Sequence, residues 1–368
     1  MNVKKLTALL LALVMVFVLA ACRVDDPVGP DSQAPETESA EPSEEPSQAP
    51  SEVPSEEPSA APSEDVHVEH TIPRLAVLSG PTGIGAARLL SVPEENLQSY
   101  ESVIEADNSA LVAGLTGPEP IYDIATMASN MAVNLYNKTD GGVKIIALGT
   151  LGVLHILESG GNTAINSVAD LEGRTIWSAG QGANPEYILR HLLEENGLIP
   201  GENVEIVFGE ASEIQARLLS GEIECAMLPV PAATAAIAKS EGSVRDAIDV
   251  TEAWKEIEAA GQLVMTAVVA RTEFLETYPD AVAAFLKDYE ASIDYVTGNV
   301  DEAAQMVADL GITPSAGIAK AAIPQCHLTF IAGADMQPAV SDYFRVLWEL
   351  DPASIGGFIP DDAIYYEG

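Results

Sequence analysis

With 368 residues, 17 Lys and Arg against 56 Asp and Glu, and a formal net charge of −39, the chain has too little positive charge to neutralise a run of phosphates. Nucleic acid is excluded as a partner, and so is docking of the folded part on anionic lipid, while the acidic surface favours solubility. The first 70 residues hold 3 basic and 14 acidic side chains, so residues 71–368 carry about −28 over 298 residues, long enough for two compact lobes and a large core.

The chain opens with Lys4 and Lys5, an apolar run of 15 residues from Leu6 to Ala20, and the closing residues Leu19-Ala20-Ala21-Cys22. The run is shorter than the ~18–20 residues of a membrane-spanning helix and has the layout of an export signal. Its closing residues resemble a bacterial lipobox. That resemblance implies cleavage before Cys22 and a lipid on its sulfur, holding the protein outside the cytoplasmic membrane. Residues 1–22 are therefore expected to be a lipoprotein signal peptide. From residue 23 to 70 proline recurs every four residues, at Pro42, Pro46, Pro50, Pro54, Pro58 and Pro62, among Ser, Glu and Ala. Such a stretch lacks the apolar surface to offset chain entropy and is expected to be an extended tether, at most roughly 150 Å long at ~3.1 Å per residue.

The folded part begins with Leu75 to Leu78, an apolar run suited to a buried strand. Ser79-Gly80-Pro81 breaks it, and a helix follows with Thr82 as N-cap and Ile84 and Arg88 at helical spacing. A strand that ends in a Gly/Pro loop and feeds a helix start presents free backbone N–H groups and a partial positive charge. Two nucleotide readings of the loop fail. No Lys-Ser or Lys-Thr follows its glycines, and Gly83-Ile84-Gly85 continues to Arg88 where the dinucleotide fingerprint needs a third glycine.

Next in order come a strand over 98–105, a helix over 108–115, and a strand over 121–127 leading through Ala128-Ser129-Asn130 into an apolar helix. The run 143–157 is long for one strand and contains Gly149 and Gly152, which suits a strand leaving one sheet to enter another. A strand over 175–179 leads to a helix opened by Asn184-Pro185 and ended by Gly197. A strand over 204–208, a helix over 212–220, a strand over 225–230 bounded by Pro229 and Pro231, and a helix over 232–238 follow. The apolar run 263–270 reads as a second crossing strand. Helices are expected over 278–297, 301–310, 316–323 and 335–350.

This alternation predicts an α/β fold: two lobes with mostly parallel sheets, helices on both faces, and two crossover strands joining them. Residues 71–152 and 268–368 would form one lobe and 153–267 the other. The two cysteines beyond Cys22, Cys225 and Cys326, lie far apart in sequence and read as separately buried thiols, although an extracytoplasmic compartment permits a bridge.

Several segments together carry a family resemblance: Arg74 to Arg88, Asp123 to Asn130, Gly149-Thr150-Leu151-Gly152, Ala169-Asp170-Leu171-Glu172-Gly173-Arg174-Thr175-Ile176, Gly182 to Tyr187, and Met227-Leu228-Pro229-Val230-Pro231. In this order they resemble the solute-binding lipoproteins of ABC importers in the nitrate/sulfonate/taurine group, related to the thiamine-pyrimidine-precursor binding proteins. The resemblance covers essentially all of 71–368. It implies a type II periplasmic-binding-protein fold that closes on a small solute and presents it to permease and ATPase subunits.

The residues themselves point to the same place, because ligands of open α/β sheets bind beyond the carboxyl ends of strands. The expected ligand-binding residues are Ser79, Gly80, Pro81, Thr82 and Gly83, with Ser129 and Asn130, Gln181, Gly182 and Asn184, and Pro229 and Pro231. Each also has an ordinary reading in helix capping or turn chemistry. These loops contain no Lys or Arg, so an anion would rely on backbone N–H groups and helix dipoles, and a neutral heterocycle fits as well. The histidines His155, His191 and His327 fall in no nucleophile or metal constellation, so no catalytic residue, metal or cofactor is expected. The rival readings are an enzyme on a small heterocycle and a surface adhesin or sensor partner. A relative of the resembled family makes a thiamine pyrimidine with a cysteine-rich loop that this chain lacks.

Overall fold

The computed structural model describes residues 71–91 and 100–368; the expected signal peptide, the expected lipidation site Cys22, the expected tether and the first residues of the strand expected over 98–105 lie outside that range. In chain order the strands are β1 (Arg74–Leu78), β2 (Glu101–Glu105), β3 (Ile124–Ala128), β4 (Val143–Thr150), β5 (Leu154–Glu158), β6 (Thr175–Ser178), β7 (Glu205–Phe208), β8 (Cys225–Pro229), β9 (Arg245–Asp249), β10 (Thr266–Arg271) and β11 (Leu328–Ile331). They form a six-stranded sheet in the order β11-β4-β10-β3-β1-β2 and a five-stranded sheet in the order β7-β6-β8-β5-β9. The architecture is α/β, as expected.

The sheets are not mostly parallel as expected: among the described residues four ladders are parallel and five antiparallel. β1 runs parallel to β2 and β3, and β6 runs parallel to β7 and β8. Every antiparallel ladder involves β4, β5 or β10, the strands at the passages between the two sheets. Parallel neighbours are joined through helices, whereas strands at a passage are free to run the other way.

The central strands are apolar on both faces because helices cover both faces. Leu75, Ala76 and Val77 of β1 and Ile124, Ala125 and Met127 of β3 are essentially inaccessible. Arg74 ties the start of β1 to that of β3: its guanidinium and its backbone N–H donate to the Asp123 carboxylate at 2.7–3.0 Å, and the backbone N–H of Asp123 returns a bond to Arg74 O at 2.9 Å. Burial pushes the Asp123 pKa up, but the Arg74 hydrogen bonds and charge, with Arg271 beside them, more than reverse it and leave it below the usual carboxylate value.

The first passage is as expected: one run makes β4 in the six-stranded sheet and β5 in the five-stranded sheet, with Leu151 to Val153 between them. The second differs. The regular strand runs from Thr266 to Arg271, three residues later than the expected 263–270 start and one beyond its end, because the backbone of Val264 and Met265 is engaged elsewhere. The two passages meet at Gly152, where an added Cβ would lie 2.1 Å from Thr251 Oγ1 and 3.0 Å from Leu263 Cδ2.

Three expectations need adjusting. The helix after β1 begins at Pro81, not after Thr82, and breaks at Ala86 into Pro81–Gly85 and Ala87–Ser91. Gly80, at φ 99°, supplies a backbone conformation that L side chains rarely adopt and takes the N-cap place assigned to Thr82. Strand β3 starts at Ile124 because Asp123 is held by Arg74. The edge strands β9 and β11 were not expected at all: β9 reads Arg-Asp-Ala-Ile-Asp and lacks the apolar signature of a core strand, while β11, Leu-Thr-Phe-Ile, is apolar but only four residues long, and the two bury one residue, Ile248, between them.

Candidate functional site

Strands β1, β3, β6 and β8 each lead into a helix, β3 directly and the others through a short loop: Pro81–Gly85, Ser129–Lys138, Asn184–Glu195 and Ala232–Lys239. The first two helices follow strands of the six-stranded sheet, the last two strands of the five-stranded sheet. The sequence starts the helices there for local reasons: proline occupies the first turn at Pro81 and Pro185, and Ala183 adopts the extended N-cap conformation before Asn184.

Two of these helix starts touch. Asn184 Nδ2 donates to Ser129 Oγ at 3.1 Å and to the Met265 carbonyl at 2.9 Å. Ser129 Oγ in turn donates to the Val264 carbonyl at 2.7 Å, and Ser129 N donates to the Met265 carbonyl at 3.0 Å. The Met265 carbonyl only accepts, so the Asn184 atom facing it is the NH₂ group and the amide orientation follows. Asn184 is 1% exposed and Ser129 fully buried, and Asn184 Oδ1 has no hydrogen-bond partner.

The neighbouring Asn130 is also fully buried. Its Nδ2 reaches the Ser354 carbonyl at 3.5 Å and its Oδ1 has no partner. One and two turns on, Asn134 donates to Ala353 O at 3.0 Å, and Asn137 donates to Ile355 O and Phe358 O at 2.6 and 2.7 Å. Asn130 is therefore the first rung of an asparagine ladder that grips residues 353–358, a structural role the sequence reading did not assign to it.

The 79–83 loop is built on backbone bonds: Ser79 N donates to Glu105 O at 2.8 Å and Ile84 N to Gly80 O at 2.9 Å. Thr82 is buried and its hydroxyl donates back to the Leu78 carbonyl. Gly83 lies against Ile312, whose Cδ1 would be 3.0 Å from an added Cβ. Pro229 closes β8 and Pro231 follows a cis peptide bond; Val230 between them shares one apolar cluster with Ile84 and Cys326. Across the same boundary, Thr234 donates to Gln325 Oε1 at 3.2 Å. Gln181 and Gly182 are exposed, and Gly182 N donates to Glu186 Oε2 at 2.8 Å. The structure thus brings Ser129 and Asn184 together, with Asn130 next to Ser129 but turned to Ser354, and sets the first loop and the Pro229–Pro231 loop against one cluster. Gln181 and Gly182 remain on the surface.

Sequence reading missed Val264, Met265, Ser354 and Gln325. The first three act through backbone carbonyls, which leave no mark in side-chain chemistry. Tyr187, which the sequence marked only as the end of the Gly182-to-Tyr187 segment, reaches Asp351 Oδ2 with its hydroxyl at 3.5 Å, joining the first turn of the 184–195 helix to the end of the 336–350 helix.

Titratable groups elsewhere form small structural pairs. His155 Nδ1 lies 2.9 Å from Asp246 Oδ2, His191 packs on Trp254 at 5.1 Å between ring centroids, and His327 Nδ1 meets the Gly152 carbonyl. Cys225 and Cys326 are both free and buried, and burial pushes each thiol up to about 12. Among the described residues no group of three His, Cys, Asp or Glu is placed to hold a metal, and no helix is long and apolar enough to cross a membrane.

Residues 122–303 match the model of the NMT1/THI5 like family, a span that runs from the start of β3 through the whole five-stranded sheet. No curated protein sequence matches the chain. Among solved structures, the fold is similar to that of an ABC transporter protein from Parabacteroides distasonis, at 21% identity over 81% of this chain and 99% of that one, with TM-score 0.66. It is also similar to the periplasmic aliphatic sulphonate binding protein SsuA from Escherichia coli, at 14% identity over 78% of this chain and 93% of that one, with TM-score 0.62. The periplasmic nitrate-binding protein NrtA from Synechocystis PCC 6803 matches at 15% identity over 78% of this chain and 83% of that one, with TM-score 0.53. The fold is that of the type II periplasmic binding proteins.

Proposed function

We propose that the chain is the solute-binding component of an ABC importer. It captures a small organic solute, of the sulfonate or nitrate type or a thiamine-precursor-like heterocycle, and passes it to permease and ATPase subunits. In this reading a lipid on Cys22 anchors the protein at the outer face of the cytoplasmic membrane, and residues 23–70 hold the folded part clear of it. Residues 71–152 with 268–368 form one lobe, residues 153–267 the other, and the solute sits where the helix starts of the two lobes meet.

The observation that carries the reading is the bond between Asn184 and Ser129, each the first residue of a helix that follows a strand of a different sheet. Two helix starts meeting across two sheets place polar side chains and first-turn N–H groups where both lobes reach the same solute. Closing on a solute there would join lobe motion to binding.

The test is equilibrium binding by the purified full-length protein of sulfonates, nitrate, pyrimidines and flavin-like compounds. The reading expects saturable one-to-one binding of one class without chemical change. A bound solute at 100 times its Kd should stabilise the native state by ~2.7 kcal/mol. Turnover of the bound compound would contradict the reading, as would binding of a protein or polymer with no small solute bound.

A further inference from the structure

The first passage between the sheets, Leu151 to Val153, is gripped residue by residue, and the grip changes sides within it. Leu151 N donates to His327 O at 3.1 Å, and His327 Nδ1 donates to the Gly152 carbonyl. A carbonyl only accepts, so Nδ1 is the ring nitrogen that carries hydrogen here. His327 immediately precedes β11 of the six-stranded sheet. The next carbonyl, Val153 O, instead accepts from Val230 N at 2.9 Å, and Val230 immediately follows β8 of the five-stranded sheet.

Peptide units are planar, so the Gly152–Val153 unit is fixed to one sheet and the Val153–Leu154 unit to the other, with only the φ and ψ of Val153 between them. The second passage is tied on the same side as His327: Met265 N donates to Thr150 O at 3.0 Å, and Ser129 Oγ to Val264 O at 2.7 Å. His327 makes its two bonds from a left-handed backbone, φ 41°. A residue with a Cβ is strained there and persists only where its surroundings hold it. For the turn alone, glycine would serve with less strain; the ring bond to Gly152 is what glycine cannot supply.

Resting on the solute-binding reading above, in which the two sheets move against each other as a solute is taken up, we propose that His327 is the positioning residue of the hinge. It locks the Gly152–Val153 unit to the six-stranded sheet and confines rotation in this passage to Val153, one of the few residues that absorb the change in a hinge. Without the ring, Leu151 N is the last group held, and the dihedrals of Leu151 and Gly152 join the pivot. A glycine inside the pivot widens its range most. With the ring in place the sheets return along one path, which brings Asn184 back onto Ser129 Oγ and Met265 O.

The test reads this motion in the full-length chain with no solute present. Spin labels go on Lys138→Cys and Glu195→Cys, exposed residues that end the 129–138 and 184–195 helices. Cys22→Ser leaves only the buried Cys225 and Cys326 as native thiols. Dipolar distance distributions are compared for the chain with His327 and for His327→Asn, His327→Gly and His327→Ala. Asparagine places Nδ2 where the imidazole has Nδ1 and tolerates a left-handed backbone, so His327→Asn should keep the starting distribution. His327→Gly relieves the backbone but has no donor, and should broaden the distribution about twofold through the added dihedrals. His327→Ala should broaden it as much; if its backbone strain unfolds the protein, the other two variants decide alone. A merely structural histidine would show in the melting temperature and leave the width unmoved. Equal widths in His327→Asn and His327→Gly overturn the inference. A narrow His327→Gly beside a broad His327→Ala also overturns it, by tracing the effect to the backbone. Both results leave the solute-binding function standing, whereas the expected widths with a failed binding panel count against that function alone.

Discussion

Asn184 and Ser129 occupy the same place in two different helices, the first residue of a helix that follows a strand, and the amide of one donates to the hydroxyl oxygen of the other across 3.1 Å. The bond is buried and its neighbours are carbonyls, so neither partner can be removed without stranding another polar group. Asn184→Ala should lower stability by ~1–3 kcal/mol, and a double-mutant cycle with Ser129→Ala should show coupling of about 0.5–1.5 kcal/mol. Chemical denaturation of the four proteins measures both values. Strict additivity would mean that the two helix starts do not depend on each other.

Gly152 gives a second mutational prediction. An added Cβ would lie 2.1 Å from Thr251 Oγ1, where the two passages between the sheets come into contact. Gly152→Ala should destabilise by ~1–3 kcal/mol through overpacking, and Thr251→Ser, which keeps the clashing Oγ, should not rescue it, whereas Thr251→Gly should. Thermal or urea unfolding of the single and double variants checks both statements.

The order of elements was legible because each β1-like unit announces itself: an apolar run, a Gly/Pro break, then helical spacing. The first passage between sheets was legible in the same way, as a run too long for one strand with Gly149 and Gly152 inside it. The edges were not. Strand β9 reads Arg-Asp-Ala-Ile-Asp and buries one residue, and an edge strand asks little of its sequence. At the site, Asn184 and Ser129 stood out as polar residues at helix starts. Their shared dependence on the Val264 and Met265 carbonyls did not, since a carbonyl belongs to every residue. Asn130 shows the opposite failure: its side-chain chemistry suggested a ligand contact, and its position in the ladder with Asn134 and Asn137 gives it structural work as well.

The pH response should carry two signs. At His155 burial works against the charged form, but the hydrogen bond to Asp246 and the charges of Asp246 and Asp249 outweigh it, raising the pKa above the ordinary 6.5. Stability from this pair is complete below the unfolded value of 6.5 and is lost as pH rises through the higher folded value. Asp123 is depressed below 3.8, so its contribution is present above that value and is lost as pH falls through the folded one. Unfolding measured across the pH range should therefore lose stability on both flanks, and Asp246→Asn should remove the His155 part of the change on the alkaline side.

The two buried thiols should be silent in the native protein. With both pushed up to about 12 and shielded from solvent, Cys225 and Cys326 should resist iodoacetamide at neutral pH and react fully once urea unfolds the chain. Mass spectrometry of the two tryptic peptides before and after unfolding reads this directly. Rapid native labelling of either thiol would place it nearer the surface than the structure has it.

The central claim is that a solute is held where the starts of the 129–138 and 184–195 helices meet. Hydrogen exchange of the full-length protein, with and without the compound that binds from the panel above, tests it most directly. The account predicts that binding slows exchange in peptides covering 128–132 and 183–188 together, one from each sheet. Slowing confined to one of these peptides, or found only elsewhere on the chain, would contradict it.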